Sequence, residues 1–63
     1  MTADQFIKWL AEMKTAGLAR SDAECARLLG MSANSVVSLK KKGGPRWIAL
    51  ACRALLHRLE PYG

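Results

Sequence analysis

The stretch DAECARLLGMSANSVVSLKKK, from Asp22 to Lys42, constrains the fold of this chain more than any other part. Gly30 separates two segments with helical periodicity, the first of which is too short to be stable alone in water. Apolar or small residues recur on one side of both segments, at Cys25, Ala26, Leu29, Met31, Val36 and Leu39. The pattern predicts two helices that cross steeply. Gly30 is expected to have a positive φ, and the small side chain of Ala26 is expected to let the two helices approach closely.

Polar residues at helix-starting positions indicate where these two helices begin. Ser21, with Glu24 three residues later, forms a capping box, and Ser32 is a typical N-cap. Two glycines follow the lysine run and are expected to end the second of the pair. The predicted helices therefore run over 22–29 and from 33 to 41 or 42.

A further helix is predicted on the N-terminal side. Thr2 followed by Gln5 is another capping box, so this helix is expected to begin at Ala3 and to end at Gly17. Its apolar stripe consists of Phe6, Leu10 and Met13, with Ile7 and Trp9 at the edges. This helix is expected to support the core.

A fourth helix is predicted from Pro45, in its first turn, to Pro61. One face is expected to close the core: Ile48, Ala51, Cys52, Leu55, Leu56 and Leu59. A second apolar patch exceeds what one core contact needs, and with the end of the chain it is a candidate dimer interface: Trp47, Leu50, Ala54, Arg58 and Tyr62. The alternative is that Trp47 covers the third helix. Together the patterns predict an all-α fold of four helices, with or without a short fifth turn.

Positive charge is concentrated in the same part of the chain. Acidic and basic side chains balance over residues 1–19, whereas residues 20–63 carry eight basic and three acidic side chains. The whole net charge of +5 therefore falls within residues 20–63, the part of the chain that contains the two crossing helices. Such a surface suits a polyanion, usually nucleic acid for a small domain. The alternative is a solvated face that only aids solubility.

Length and composition exclude several classes of protein. A chain of 63 residues is expected to hold one domain, 1–63, because a second core could not be built. Cys25 and Cys52 fall in apolar helical patterns, so we expect reduced, buried thiols rather than a disulfide. The chain has no signal peptide or long apolar run, so we expect a cytoplasmic protein that does not associate with a membrane.

No metal-ligand or catalytic pattern is found in the sequence. His57 has no partner at ligand spacing, and no nucleophile lies beside a base. We therefore expect no metal, no cofactor, no small-molecule effector and no enzyme.

Five residues of the predicted third helix fall on its outward side: Ala33, Asn34, Val37, Ser38 and Lys41. Asn34 can pair with N6 and N7 of adenine, and Ser38 can bond to most base edges. The methyl groups of Ala33 and Val37 suit a thymine methyl, and Lys41 suits guanine or a phosphate. The alternative for Asn34 is a solvated amide with no contact. The two crossing helices, 22–42, are therefore a candidate DNA-reading helix-turn-helix.

This stretch resembles the lambda-repressor-like, Cro/C1-type family of DNA-binding domains. In that family a small residue is followed four positions later by glycine, and Ala26 and Gly30 match the pair. The flanking apolar positions are matched by Cys25, Leu29, Met31, Val36 and Leu39. The resemblance implies that the third helix enters the major groove, that Ala33, Asn34, Val37, Ser38 and Lys41 read bases, and that Ser32 and Ser35 lie near phosphate.

Two features depart from that family. Many members carry glutamine at the first position of the second helix, where it helps to hold a phosphate, whereas Asp22 would repel one. Phosphate contacts are therefore expected to shift to the basic residues Arg20, Arg27, Lys40, Lys42 and Arg46. Many members also dimerise through a fifth helix, which this chain is too short to form in full. Dimerisation is expected to use the fourth helix, the first helix or the C-terminal tail.

These observations predict a sequence-specific transcriptional regulator, acting as a homodimeric repressor on a short palindrome in double-stranded DNA. One reading helix covers only about 4–5 base pairs, so two copies related by a two-fold axis are expected. The small size resembles regulators of phages and other mobile elements, such as anti-CRISPR-associated repressors. Two alternatives stay open. One is an architectural, excisionase-like DNA-binding protein that bends DNA, and the other is a protein-interaction module that uses the apolar fourth helix.

Overall fold

Four helices build the part of the chain that this computed structural model describes, residues 1–62. They are α1 (Ala3–Thr15), α2 (Asp22–Leu29), α3 (Ala33–Lys42) and α4 (Arg46–Leu56), and these residues contain no strand. The prediction of an all-α, four-helix architecture is confirmed. No fifth helical element is seen within 1–62, where only a turn follows α4.

Side-chain caps start α1 and α2 where the sequence predicts. The Thr2 hydroxyl accepts from the Gln5 N–H at 3.1 Å and the Gln5 side chain accepts from the Thr2 N–H at 2.9 Å, which confirms the first capping box. The Ser21 hydroxyl likewise accepts from the Glu24 N–H at 3.2 Å. The return bond differs from the prediction, because the Glu24 carboxylate accepts from the backbone N–H of Arg20, at 3.2 Å.

The core is centred on α1, which packs against each of the other three helices. The buried residues of the core are Phe6, Trp9, Leu10, Met13, Ala19, Cys25, Ala26, Val36, Ile48 and Cys52. Trp9, expected at the edge of the apolar stripe of α1, is as buried as the stripe itself, since only 4% of this residue is exposed. Its indole N–H donates to the carbonyl of Cys52 at 2.9 Å, and its ring centroid lies 5.6 Å from that of Phe6. This bond satisfies the polar end of the ring and allows its burial.

The turn between α2 and α3 has the predicted left-handed glycine, with φ 75° at Gly30. The Gly30 N–H donates to the carbonyl of Arg27 at 3.0 Å, and the Met31 N–H donates to that of Ala26 at 2.9 Å. These two bonds satisfy carbonyls at the end of α2 and reverse the chain. All apolar positions predicted to face inward between α2 and α3 are buried or partly buried.

The bounds of α4 differ from the prediction at both ends. Pro45 is the N-cap, one residue before the helix rather than in its first turn. The helix ends at Leu56 rather than at Pro61, because Arg58 adopts φ 60°. The Arg58 N–H donates to the carbonyl of Leu55 at 3.0 Å, and the Leu59 N–H donates to that of Ala54 at 2.9 Å. This reversal takes Leu59 out of the helical register and leaves it 61% exposed, so its predicted place in the core is wrong.

The left-handed conformation of Arg58 leads to a stability prediction. An L-residue at positive φ costs about 1–2 kcal/mol that glycine does not incur, while glycine also loses more entropy on folding. Arg58→Gly is therefore expected to raise the free energy of unfolding by about 0.5–1 kcal/mol. Urea denaturation followed by far-UV circular dichroism measures this change, and Arg53→Gly, within α4, is expected to destabilise the protein instead. A destabilised Arg58→Gly variant would contradict the left-handed cap.

The N-terminal residue packs against the short connection between α3 and α4. The backbone carbonyl of Met1 accepts from the Gly44 N–H at 2.9 Å, and the terminal ammonium donates to the Gly44 carbonyl at 3.0 Å. Gly43 has φ 76° and ψ −168°, a combination open almost only to glycine. A Cβ atom on Gly43 would overlap the Met1 carbonyl oxygen and lie 2.9 Å from the Ala3 nitrogen. Gly43 therefore permits a close contact between backbones, whereas a Cβ atom on Gly44 would meet the side chains of Leu39 and Ile48.

Candidate functional site

The outward side of α3 carries the five residues expected to read DNA bases. Ala33, Asn34, Val37, Ser38 and Lys41 are all exposed, and their spacing puts them on one side of the helix. The inward side holds Val36, which is 2% exposed, and the partly buried Leu39. The structure thus brings the five together on one accessible surface, and their contacts with bases stay a prediction. We call this surface the α3 outer face.

Ser32 and Ser35 are engaged with each other at the start of α3. The Ser32 hydroxyl accepts from the Ser35 N–H at 3.3 Å, and the two hydroxyl oxygens lie 3.2 Å apart. The capping role predicted for Ser32 is confirmed. Both side chains are exposed, and a hydroxyl that caps a helix keeps a further lone pair, so capping leaves the expected contact with phosphate open.

The basic residues expected to contact phosphate fall into two groups. Arg20, Arg27, Lys42 and Arg46 are exposed and form no ion pair with the described residues. Lys40 differs, because its ammonium lies 3.1 Å from Oδ2 of Asp22. The positive charge of the first group is fully available to an external anion, whereas that of Lys40 is shared with a carboxylate.

Asp22 joins three helices through two ion pairs. Besides Lys40 on α3, its carboxylate meets the ammonium of Lys14 on α1, with Oδ1 2.8 Å from Nζ. Hydrogen bonds from Lys14 and then Lys40 hold the pKa of Asp22 below its usual range, although partial burial opposes them. The hydrogen bond with Asp22 in turn raises the pKa of Lys14. We call these residues the Lys14–Asp22–Lys40 cluster. Local patterns gave no signal for it, since its members lie far apart in the sequence.

The depressed pKa of Asp22 gives the stability a pH dependence of defined sign. The carboxylate stabilises the fold above its unfolded pKa of about 3.9, and this contribution is lost as the pH falls through the lower folded pKa. Asp22→Asn is therefore expected to be less stable than the wild type at neutral pH, with the difference vanishing near pH 2–3. Side-chain exposure of 35% at Asp22 keeps the difference small. Urea unfolding from pH 2 to 7 measures it, and a difference that persists at pH 2 would exclude this origin.

The outward side of α4 is unusually apolar for a solvent-exposed surface. Trp47 and Leu50 are each 59% exposed, and Ala54 is partly buried beside them. The two other residues of the expected dimer interface, Arg58 and Tyr62, are exposed beyond the end of the helix. Trp47 also borders a cleft between α3 and α4 that Ser35, Ser38 and Leu39 line. Trp47 is thus both exposed and adjacent to α3, so the two alternatives given for it stay open.

The two thiols are buried, as the sequence predicts, and they are not joined by a disulfide. Burial raises the pKa of Cys25, and it raises the pKa of Cys52 to about 12. A thiol with a raised pKa and no access to solvent is a poor nucleophile. Within residues 1–62, no three histidine, cysteine or acidic side chains are grouped so as to hold a metal ion. None of the helices in that range is long and apolar enough to cross a membrane.

Compared with protein-family models, with curated proteins and with solved structures, the chain matches none. Its function is therefore inferred from the arrangement of its residues. Three surface features bear on it: the α3 outer face, the exposed basic side chains without an ion pair and the apolar side of α4.

Proposed function

We propose that the protein is a sequence-specific DNA-binding regulator of transcription, in which α2 and α3 form a helix-turn-helix and α3 reads the major groove. The observation that carries this proposal is the α3 outer face, where short polar and small apolar side chains stand exposed beside unpaired cations. Within α3 there is no acidic residue, and its last turn consists of lysines. A surface of this kind is suited to a polyanion that also presents hydrogen-bonding edges.

The dimensions of α3 suit the major groove. The helix has 10 residues, and at about 1.5 Å per residue it is roughly 15 Å long. The major groove is about 12 Å wide and admits a single α-helix. Small side chains at Ala33 and Ser38 allow the helix backbone to lie close to base edges. Asn34, near the N-terminus of the helix, would pair with adenine, and Val37 would contact a thymine methyl.

The basic side chains around α3 would supply most of the affinity. Contacts between cations and phosphates fix the position of a protein on DNA and provide the sequence-independent part of binding. Of the exposed cations that form no ion pair among residues 1–62, five are expected to meet the DNA: Arg20, Arg27, Lys41, Lys42 and Arg46. If each meets one phosphate, the logarithm of the binding constant should fall with the logarithm of salt concentration with a slope of about −4 to −5.

The proposed regulator acts as a homodimer. One α3 covers too few base pairs to select a site in a genome, and a second copy across a two-fold axis doubles the site and squares the discrimination. Trp47 and Leu50 give α4 an apolar side that a second copy would cover. In this role the protein would be a repressor that occupies a short palindromic operator.

A matched pair of arginine variants tests the DNA-binding proposal. Arg46 begins α4 and is expected to contact phosphate, whereas Arg53 lines a groove between α4 and α1. Fluorescence anisotropy of a labelled duplex, titrated over a range of salt concentrations, is expected to show that Arg46→Gln reduces the salt slope by about 1. Arg53→Gln removes the same charge and is expected to leave the slope unchanged. Absence of salt-dependent binding, or equal effects of the two variants, would contradict the proposed interface.

The apolar side of α4 favours a second candidate function, a protein-interaction module. The observation behind it is the 59% exposure of both Trp47 and Leu50. Such a module would lose its partner on Leu50→Glu and would be indifferent to Asn34→Ala. The DNA regulator predicts the reverse for Asn34, so binding assays on these two variants separate the candidates.

A further inference from the structure

The Lys14–Asp22–Lys40 cluster joins two cations to one carboxylate beside the proposed DNA interface. Asp22 is the first residue of α2, and its two oxygens lie 2.8 Å from Lys14 Nζ and 3.1 Å from Lys40 Nζ. The lysine side chains are 45% and 40% exposed, so an external anion could reach both ammonium groups if Asp22 did not hold them. The cluster therefore withholds positive charge from the surface.

Because Lys40 belongs to α3, its pairing with Asp22 reduces the positive charge that this helix can offer to DNA. Lys40 immediately precedes Lys41 of the α3 outer face, and both are exposed. Its ammonium is turned towards α1 and α2, where it borders a cleft with Ile7, Leu10 and Lys14. Of the three consecutive lysines that end α3, only Lys40 has a counter-ion among residues 1–62. The carboxylate also adds a negative charge that repels any phosphate approaching the start of α2.

We propose that Asp22 limits sequence-independent affinity for DNA by acting as an internal counter-ion for Lys14 and Lys40. This inference rests on the proposed function. Sequence-independent binding derives from cations that neutralise phosphates and release counter-ions from the DNA. A cation already paired with a carboxylate contributes little to that release. The base contacts of the α3 outer face are unaffected by Asp22, so the carboxylate tunes affinity without altering the bases that are read.

A substitution that removes only the charge of Asp22 tests this role. Asp22→Asn is expected to steepen the salt slope by about 1–2 and to tighten binding to a random-sequence duplex about 5- to 50-fold near 0.1 M salt. The matched control is Asp4→Asn, which makes the same change in net charge. Asp4 is exposed in the first turn of α1 and has no ion pair within residues 1–62. This control is expected to leave the slope unchanged and the affinity within about 3-fold.

Lysine variants test the same point, and those made in the wild type do not depend on the fold of Asp22→Asn. In the wild type, Lys40→Met is expected to change the salt slope by less than about 0.3, whereas Lys41→Met is expected to reduce it by about 1. In the Asp22→Asn background, Lys40→Met is expected to reduce the slope as much as Lys41→Met does. Asp22→Glu keeps the charge and is expected to bind like the wild type.

The possible results separate this inference from the proposed function. If the wild type binds duplex DNA but Asp22→Asn and Asp4→Asn behave alike, the role of Asp22 is overturned and the proposed function stands. Equal effects of Lys40→Met and Lys41→Met in the wild type would also overturn it. If neither the wild type nor Asp22→Asn binds duplex DNA, the proposed function fails, and this inference fails with it.

Discussion

Gly43→Ala is expected to destabilise the protein by about 3 kcal/mol or more. Part of this cost is conformational, since φ 76° with ψ −168° lies in a region where an L-residue costs roughly 1–3 kcal/mol. The rest is steric, because the new Cβ would overlap the backbone of Met1 and approach that of Ala3. Backbone atoms move aside less readily than the end of a flexible side chain does. The N-terminal residue would be displaced and its two bonds to Gly44 lost.

The size of this effect is large for so small a protein. A domain of 63 residues has a free energy of unfolding of about 3–9 kcal/mol, so this variant would lose a third or more of its stability. Gly17→Ala is the matched control, because Gly17 also has a positive φ, 73°, but nothing lies within 4 Å of a Cβ there. Chemical denaturation should give a loss of only about 1 kcal/mol for this control. Equal losses for the two variants would contradict the close backbone contact at Gly43.

Replacing both Asn34 and Ser38 with alanine is expected to abolish most of the preference for a specific DNA sequence. Each good base contact is worth about 1–3 kcal/mol of discrimination, so two contacts correspond to a loss of about 30-fold to 20,000-fold in each half-site. Both side chains are exposed on α3, and alanine is a good helix former, so the fold should be retained. Affinity for random-sequence DNA is expected to stay within about 3-fold, because no cation is removed.

Competition binding between a selected operator and a random duplex measures this loss of preference. Thr15→Ala removes an exposed hydroxyl from the last residue of α1, which is not among the residues expected to read bases, and serves as the control. It should leave the ratio of the two affinities unchanged. A double variant with the same ratio as the wild type would mean that Asn34 and Ser38 do not read bases.

Local signals in the sequence were sufficient to predict most of the fold. Thr2 with Gln5, and the N-caps Ser21 and Ser32, start their helices because a polar side chain next to a helix N-terminus satisfies free N–H groups. Gly30 marks a left-handed turn because glycine has no Cβ to clash there. Such signals act over a few residues, so they can be read without knowing the tertiary structure.

Local patterns did not predict features that depend on distant residues or unusual backbone conformations. Trp9 can be almost fully buried because the carbonyl of Cys52, 43 positions away, accepts its indole N–H. The early end of α4 depends on a left-handed Arg58, a residue type that carries no signal for positive φ. Leu59 then leaves the core as a consequence.

The candidate site was predictable in part for the same reason. Helical periodicity alone sufficed to place Asn34, Ser38 and Lys41 on an exposed side of α3. It was insufficient to separate Lys40 from Lys41 by their surroundings, because the partner of Lys40 is Asp22 on another helix. Local patterns also leave the role of Trp47 undecided, because the residues of α3 that line a cleft with it are brought there by the tertiary fold.

Selection of DNA from a random pool by the purified protein tests the central claim most directly. Repeated rounds of binding and amplification, followed by sequencing, should enrich a short inverted repeat whose half-sites lie about one helical turn, or 10 base pairs, apart. The wild type should enrich this repeat, and the Asn34→Ala, Ser38→Ala double variant should enrich none. A pool that stays random after selection by the wild type would contradict sequence-specific recognition by α3.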